Sequence, residues 1–222
     1  MLLDKKTYID TRRLKLGEKV LPEHFKVLQA WINSHYEINV LNIVFDKIDI
    51  GPHKGSPRLN VIIDKESDYQ KMFRKPFVPI EKHTKAIAKR FVKIIKDSGF
   101  ERKYDLDNIL VIYSDYSYDS MSKVCELFIQ NDKKNIMSKF VDSKIWDMTG
   151  FSSWIVVFYM TVTDLNENIK NGTNENIKNE CLRLIKHYDE FDYFNEKTLK
   201  LTFDSKQNLD ENYQGNSFFY FR

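Results

Sequence analysis

The sequence predicts one α+β (or α/β) domain over residues 1–222, with about four helices packed on a mixed, mostly antiparallel sheet of five to six strands. Three observations carry this. Segments with apolar residues at three- and four-residue spacing alternate with short β-branched and aromatic runs, in the order α β β α β α β α β β. No linker composition interrupts them. The chain is 42% hydrophobic, with 16 Phe and 12 Tyr, which supplies a sizeable core without staples.

The first helix is read in "LPEHFKVLQAWINSHYE", where Leu21, Phe25, Leu28, Trp31, Ile32 and Tyr36 share a face and Pro22 suits the first turn. "INVLNIVFDKIDI" is the first strand. Its alternation breaks through Leu41, Ile43 and Phe45, which calls for apolar cover on both faces or a bulge. "PRLNVIID" is the second, with Leu59, Val61 and Ile63 on one side. The short connection between them makes an antiparallel hairpin the natural pairing. Pro52 and Pro57 stiffen that connection and withhold N–H donors from a bound phosphate, so it reads as a rigid turn.

"KESDYQKMF" is a short helix or turn with Asp64 as its cap, and "PFVPI" breaks the chain. A long helix then runs from near Ile80 to "DSG", where Gly99 closes it. "DNILVIYSDY" reads as a buried strand, and "DSMSKVCELFIQ" starts a helix capped by Asp119 or Ser120. "SSWIVVFYMTVTD" is the most strand-like run. "ENIKNECLRLIKHYDEF" is helical, with Ile177, Cys181, Leu184, Ile185 and Tyr188 on one face. "TLKLTFD" and "NSFFYFR" are the last two strands, the second at an edge. The hexapeptide "NENIKN" occurs twice, separated by "GT", and predicts a polar surface loop that tolerates insertion.

Charge is unevenly spread. Residues 1–100 carry 20 Lys+Arg against 12 Asp+Glu, and residues 101–222 carry 15 against 20. From Lys71 to Lys96 there are nine Lys or Arg and one acid, Glu81. On the long helix Lys82, Lys85, Lys89, Lys93 and Lys96 fall within about 80° of arc, opposite Ile80, Ile87, Phe91, Ile94 and Ile95. Solvated helices usually mix signs, because like charges at this spacing repel. Such a stripe suits an anionic partner or the acidic half of the same chain. His53, Lys54 and Arg58 are expected to extend this basic surface at the hairpin tip.

Other chemistry is poorly supported. The five histidines are scattered, and no C-x-x-C, H-E-x-x-H or EF-hand loop occurs, so no metal site is expected. "GPHKGS" lacks phosphate-loop spacing and precedes a strand. Cys125 and Cys181 read as buried reduced thiols. In "YSDYSYDS", Asp115, Tyr116 and Tyr118 could line a pocket at a strand end, though capping explains most of that segment. An alternative is a metal-dependent enzyme for a phosphate-bearing or nucleic-acid substrate, using Asp46, Asp49 and Asp64 with Lys47 or Lys65. In both "DKID" and "IIDKE" lysine directly follows the acid, which puts the two on opposite faces of a strand.

The expectation is therefore a small cytoplasmic, non-enzymatic protein, without cofactor, that binds another macromolecule through the basic helix face. An acidic protein surface ranks above nucleic acid as the partner, because no helix-turn-helix, zinc-finger or RNA-recognition signature occurs. No membrane role is expected, since the start of the chain has no signal-peptide core and the longest apolar run, "WIVVFYM", is too short to span a bilayer.

Overall fold

Two three-stranded sheets of one topology organise the computed structural model, which describes residues 3–222. The chain divides into two units, Met1–Asp119 and Ser120–Arg222.

The first unit begins with α1 (Lys5–Lys15), α2 (Glu23–Tyr36), β1 (Val40–Lys47) and β2 (Pro57–Ile63). It continues with α3 (Glu66–Gln70), a small hairpin of β3 (Phe73–Lys75) and β4 (Val78–Pro79), α4 (Glu81–Asp97) and β5 (Leu110–Asp115). Helix α5 (Tyr116–Lys139) follows β5 directly and carries the chain into the second unit. There β6 (Ile145–Phe151), β7 (Trp154–Tyr159), α6 (Val162–Lys170), α7 (Thr173–Ile185), β8 (Lys200–Ser205), α8 (Lys206–Tyr213) and α9 (Ser217–Tyr220) complete the chain.

Both sheets pair their first two strands antiparallel and their last two parallel. The crossovers are helical, α3–α4 and α6–α7, as parallel pairing requires. The registers coincide residue for residue. Arg58–Ile63 pairs with Leu110–Asp115 as Trp154–Tyr159 pairs with Lys200–Ser205. The bulge anticipated in β1 lies between Val40 and Asn42, and its counterpart in β6 lies between Ile145 and Asp147.

Local hydrogen bonds repeat as well. Asp64 N–H donates to Asn39 O at 2.9 Å, and Met160 N–H to Lys144 O at 3.2 Å. Glu66 N–H donates to Ser117 Oγ at 3.2 Å, and Val162 N–H to Gln207 Oε1 at 3.4 Å.

The apolar face of each sheet is built from matching positions. In the first unit Leu59, Val61, Ile63, Val111 and Tyr113 pack with Phe25, Leu28 and Ile32 of α2 and Ile87, Phe91, Ile94 and Ile95 of α4. In the second, Ile155, Val157, Tyr159, Leu201 and Phe203 pack with Val124, Cys125 and Phe128 of α5 and Ile177, Cys181, Leu184 and Ile185 of α7. Full burial of such side chains contributes roughly 1.5–3 kcal/mol each, which is what holds the helices down. Cys125 and Cys181 are free and buried, and burial pushes both thiols up to about 12.

The opposite faces differ. The first unit buries Asn42, Asn60 and Ser114 there. Asn42 Nδ2 donates to Thr11 Oγ1 at 2.9 Å, and Ser114 Oγ donates to Asn60 Oδ1 at 3.0 Å. The second unit packs Trp154, Val156 and Phe158 against Leu209, Tyr213, Tyr220 and Phe221.

Mixed α and β content is as expected, but the five-to-six-stranded sheet is not formed. Among the described residues the strands make two three-stranded sheets and one two-stranded hairpin. After β5 the chain runs into α5 and starts a new sheet at β6. The final "NSFFYFR" is the short helix α9, because Asn216 caps it by accepting from Phe218 N–H. The first "NENIKN" copy lies in α6 up to Lys170 rather than in a loop, and the second lies in α7, overlapping the segment read as helical. Their environments differ: Ile169 is 56% exposed and Ile177 is 0% exposed. No helix among the described residues is long and apolar enough to cross a membrane.

Candidate functional site

Helix α4 is amphipathic because its apolar residues recur at positions 87, 91, 94 and 95, and all four are buried. That geometry leaves Lys82, Lys85, Lys89, Lys93 and Lys96 exposed on the outer face. Lys85 pairs with Glu81 at 2.5 Å, while the other four make no ion pair among the described residues. From Lys82 to Lys96 the stripe extends about 21 Å along the axis. Gly99, at φ 70°, closes the helix in the left-handed conformation a Cβ disfavours.

The β3–β4 hairpin leads directly into this helix. Its base is anchored: Phe73 lies between Tyr69 and Tyr113, with ring centroids at 4.6 and 5.7 Å, and Ile80 N–H donates to the carbonyl of buried Met72 at 2.9 Å. Its tip is bare. Phe77 is 89% exposed, and its ring stacks on no other ring among the described residues. Its φ is 63°, a left-handed conformation that costs a bulky residue on the order of 1–3 kcal/mol. Arg74 and Lys75 precede it on β3, both exposed. "PFVPI" reads in sequence only as a chain break, since neither the exposure nor the strain of Phe77 has a local signal.

The remaining basic candidates sit on another element. His53 and Lys54 are exposed in the β1–β2 turn, which Ile48 and Ser56 close through Ile48 N–H to Ser56 O at 3.1 Å. Arg58 lies on β2 instead of the tip. Its Nε and Nη2 donate to Asp46 at 2.8 and 2.6 Å, so its charge is matched locally and does not extend the basic surface. The Asp46 carboxylate in turn favours the guanidinium's protonated form.

The acids of the metal-enzyme alternative do not converge. Asp46 sits opposite Arg58 near one end of the hairpin, and Asp64 follows the other end of β2. Six residues of strand separate Arg58 from Asp64, about 20 Å. Asp64 does not cap α3, whose N-cap residue is Lys65 and makes no side-chain capping bond; the Asp64 carboxylate meets Lys15 and accepts from Asn39 Nδ2 at 3.1 Å. Among the described residues no group of three or more His, Cys, Asp or Glu could hold a metal.

Asp119 and Ser120 do not cap α5, which begins earlier. Asp115 accepts from Tyr118 N–H at 3.2 Å and from Ser117 Oγ at 2.7 Å, and its counterpart Ser205 caps α8 by accepting from Asn208 N–H at 3.0 Å. Tyr116 is buried and stacks on Tyr8 at 5.5 Å. Asp119 is buried too and accepts from Leu3 N–H at 3.2 and 3.3 Å. Burial pushes its pKa up to about 6, with Asp115 adding to the shift.

A cleft of about 550 Å³ lies beside α1 and β1, lined by Asp4, Asp10, Asn42 and Asp46 among others. Its acids are already engaged. Asp4 caps α1 through Thr7 N–H at 3.0 Å, Asp10 meets Lys19 at 2.9 Å, and Asp46 holds Arg58. Between α2 and α4 lies an aromatic cluster that sequence reasoning missed, in which the Tyr36 and His83 rings meet at 4.6 Å and Arg90 lies 5.7 Å over Trp31. Desolvation lowers the His83 pKa.

The fold and this surface together define a two-unit α/β protein with one strongly basic helix face. No protein-family model matches the chain, and no curated protein and no solved structure matches it significantly.

Proposed function

We propose that this chain is a binding protein that engages an anionic macromolecule through the exposed face of α4. One observation carries the reading. Helix α7 occupies the same place in the second unit, and Ile87, Phe91, Ile94 and Ile95 correspond to Ile177, Cys181, Leu184 and Ile185. The offset of 90 positions is the one that maps β5 onto β8. At that offset the lysine positions hold Gly172, Glu175, Asn179, Arg183 and Lys186. The helix therefore keeps its fold-bearing face without five lysines, so the stripe is surplus to folding and calls for another reason.

A triple variant, Lys85→Glu, Lys89→Glu and Lys93→Glu, tests this on a heparin column. Because the lysines are exposed, its thermal unfolding stays within about 2 °C of the parent. Its elution moves to clearly lower salt. Retention at the parent's salt concentration rules the reading out.

A further inference from the structure

We infer that the β3–β4 hairpin and α4 form one docking element for single-stranded nucleic acid, in which Phe77 stacks on a base while the lysines follow the backbone. This rests on the basic-face reading above and adds the class of partner. Four observations support it.

First, Phe77 is 89% exposed at a hairpin tip between Arg74, Lys75 and the lysines of α4. An exposed aromatic ring on a hairpin that leads directly into a row of lysines supplies the pair of elements that single strands need, a stacking platform and a charged track. Second, its φ of 63° would be relieved by Gly or Asn, so the ring stands at a position where the backbone disfavours it. Third, the hairpin is an addition. The second unit passes from α6 to α7 through Asn171 and Gly172 alone, while the first inserts the hairpin between α3 and α4. Thus the insertion and the lysine stripe are adjacent departures from an otherwise shared pattern. Fourth, successive stripe lysines are three or four residues apart, about 4.5–6 Å of helix rise. That suits a repeating line of phosphates.

The character of the stripe favours nucleic acid over an acidic protein surface. Protein interfaces are depleted in lysine at their cores and enriched in arginine and aromatic residues, whereas a lysine row is typical of phosphate contacts. A single strand is favoured over a duplex because one ring stacks on an already unpaired base freely. Wedging a duplex open costs more than one ring returns.

The experiment uses the full chain and fluorescence anisotropy with labelled oligothymidylate and oligouridylate of about 16 nucleotides, the upper end of the usual site size. A duplex of the same length, poly-L-glutamate and phosphatidylserine vesicles are the comparison probes. The parent binds an oligonucleotide more tightly than any comparison probe. Preference between the two oligonucleotides identifies DNA or RNA as the source, and either supports the proposal. Phe77→Asn, which suits a left-handed backbone, weakens oligonucleotide binding about 5- to 150-fold and leaves heparin elution unchanged. Phe77→Trp retains the parent's affinity. The lysine triple variant reduces the dependence of log affinity on log salt by about 2, near 0.7 per lost contact.

Equal oligonucleotide affinity for Phe77→Asn and the parent overturns the proposal, as does tighter binding to the duplex, to poly-L-glutamate or to vesicles. If heparin elution still depends on the lysines in that case, the basic-face reading survives alone. If it does not, both fall.

Discussion

Helices α4 and α7 hold the same four apolar positions against the same kind of sheet, yet present different outer faces. The first shows a row of lysines of which, among the described residues, only Lys85 is paired. The second is electrically mixed: Glu180 meets both Arg183, at 2.7 Å, and Lys139, at 3.0 Å. Those cations hold the Glu180 carboxyl well below its usual range, at about 2. The contrast separates what the fold demands from what it leaves open. Burial restricts positions 87, 91, 94 and 95 and their partners to apolar side chains, while solvent-facing positions are free to serve another end. The opposite sheet faces teach the same lesson with a different outcome, since the first unit seals its face with hydrogen-bonded Asn and Ser and the second with aromatic rings.

The largest effect is expected at Phe91, fully buried and packed on Phe25, Phe45 and Tyr104. Phe91→Ala should cost about 3–5 kcal/mol in urea unfolding, whereas Cys181→Ala, at the matching position, removes one sulfur and should cost about 1 kcal/mol. Equal losses at the two sites would mean the two cores do not correspond.

Asp119 comes next, because its counterpart in the second unit is Leu209. Its folded pKa of about 6 lies above the 3.8 of an exposed aspartate, so the folded state holds the proton more tightly. This group's contribution to stability is therefore greatest below about pH 4 and declines as pH rises through 6. Asp119→Asn keeps an acceptor for Leu3 N–H and removes the charge. Its stability relative to the parent should rise from near zero at pH 4 to about 2 kcal/mol in its favour at pH 7. A pH-independent difference would contradict the burial of an ionisable group there.

A smaller effect is expected where Asp164 accepts from Thr161 N–H and Oγ1 and from Lys144 Nζ. Asp164→Ala should cost about 1–2 kcal/mol. Asp68→Ala, which loses Asn39 N–H and an exposed lysine contact, should cost about 0.5–1 kcal/mol.

Much of the first unit was legible because periodicity reports burial directly. The faces of α2 and α4, the alternation of β2 and the disturbed alternation of β1 all follow from which side chains meet the core. The doubling was not legible. The paired helices share apolar character but few identities, as Phe91 against Cys181 illustrates. The α1 helix was missed because only Thr11 is buried in it, and polar contacts leave no apolar stripe to read. Strand β6 was missed because it is a half-exposed edge strand containing Asp147 and Gly150. On the site, the lysine row could be read from spacing alone. The pairing of Arg58 with Asp46 across the hairpin needed the register, and the exposure of Phe77 needed the whole surface.

The most direct measurement exchanges the two outer faces. In one variant α4 takes the residues found on α7, Lys85→Glu, Lys89→Asn and Lys93→Arg. In the other α7 gains the α4 charges through Glu175→Lys and Asn179→Lys. Both should melt close to the parent, and their salt of elution from heparin is then compared. The first variant should elute at clearly lower salt than the second, which retains the α4 stripe. Equal elution of the first variant and the parent would contradict the claim that the α4 face is the binding surface.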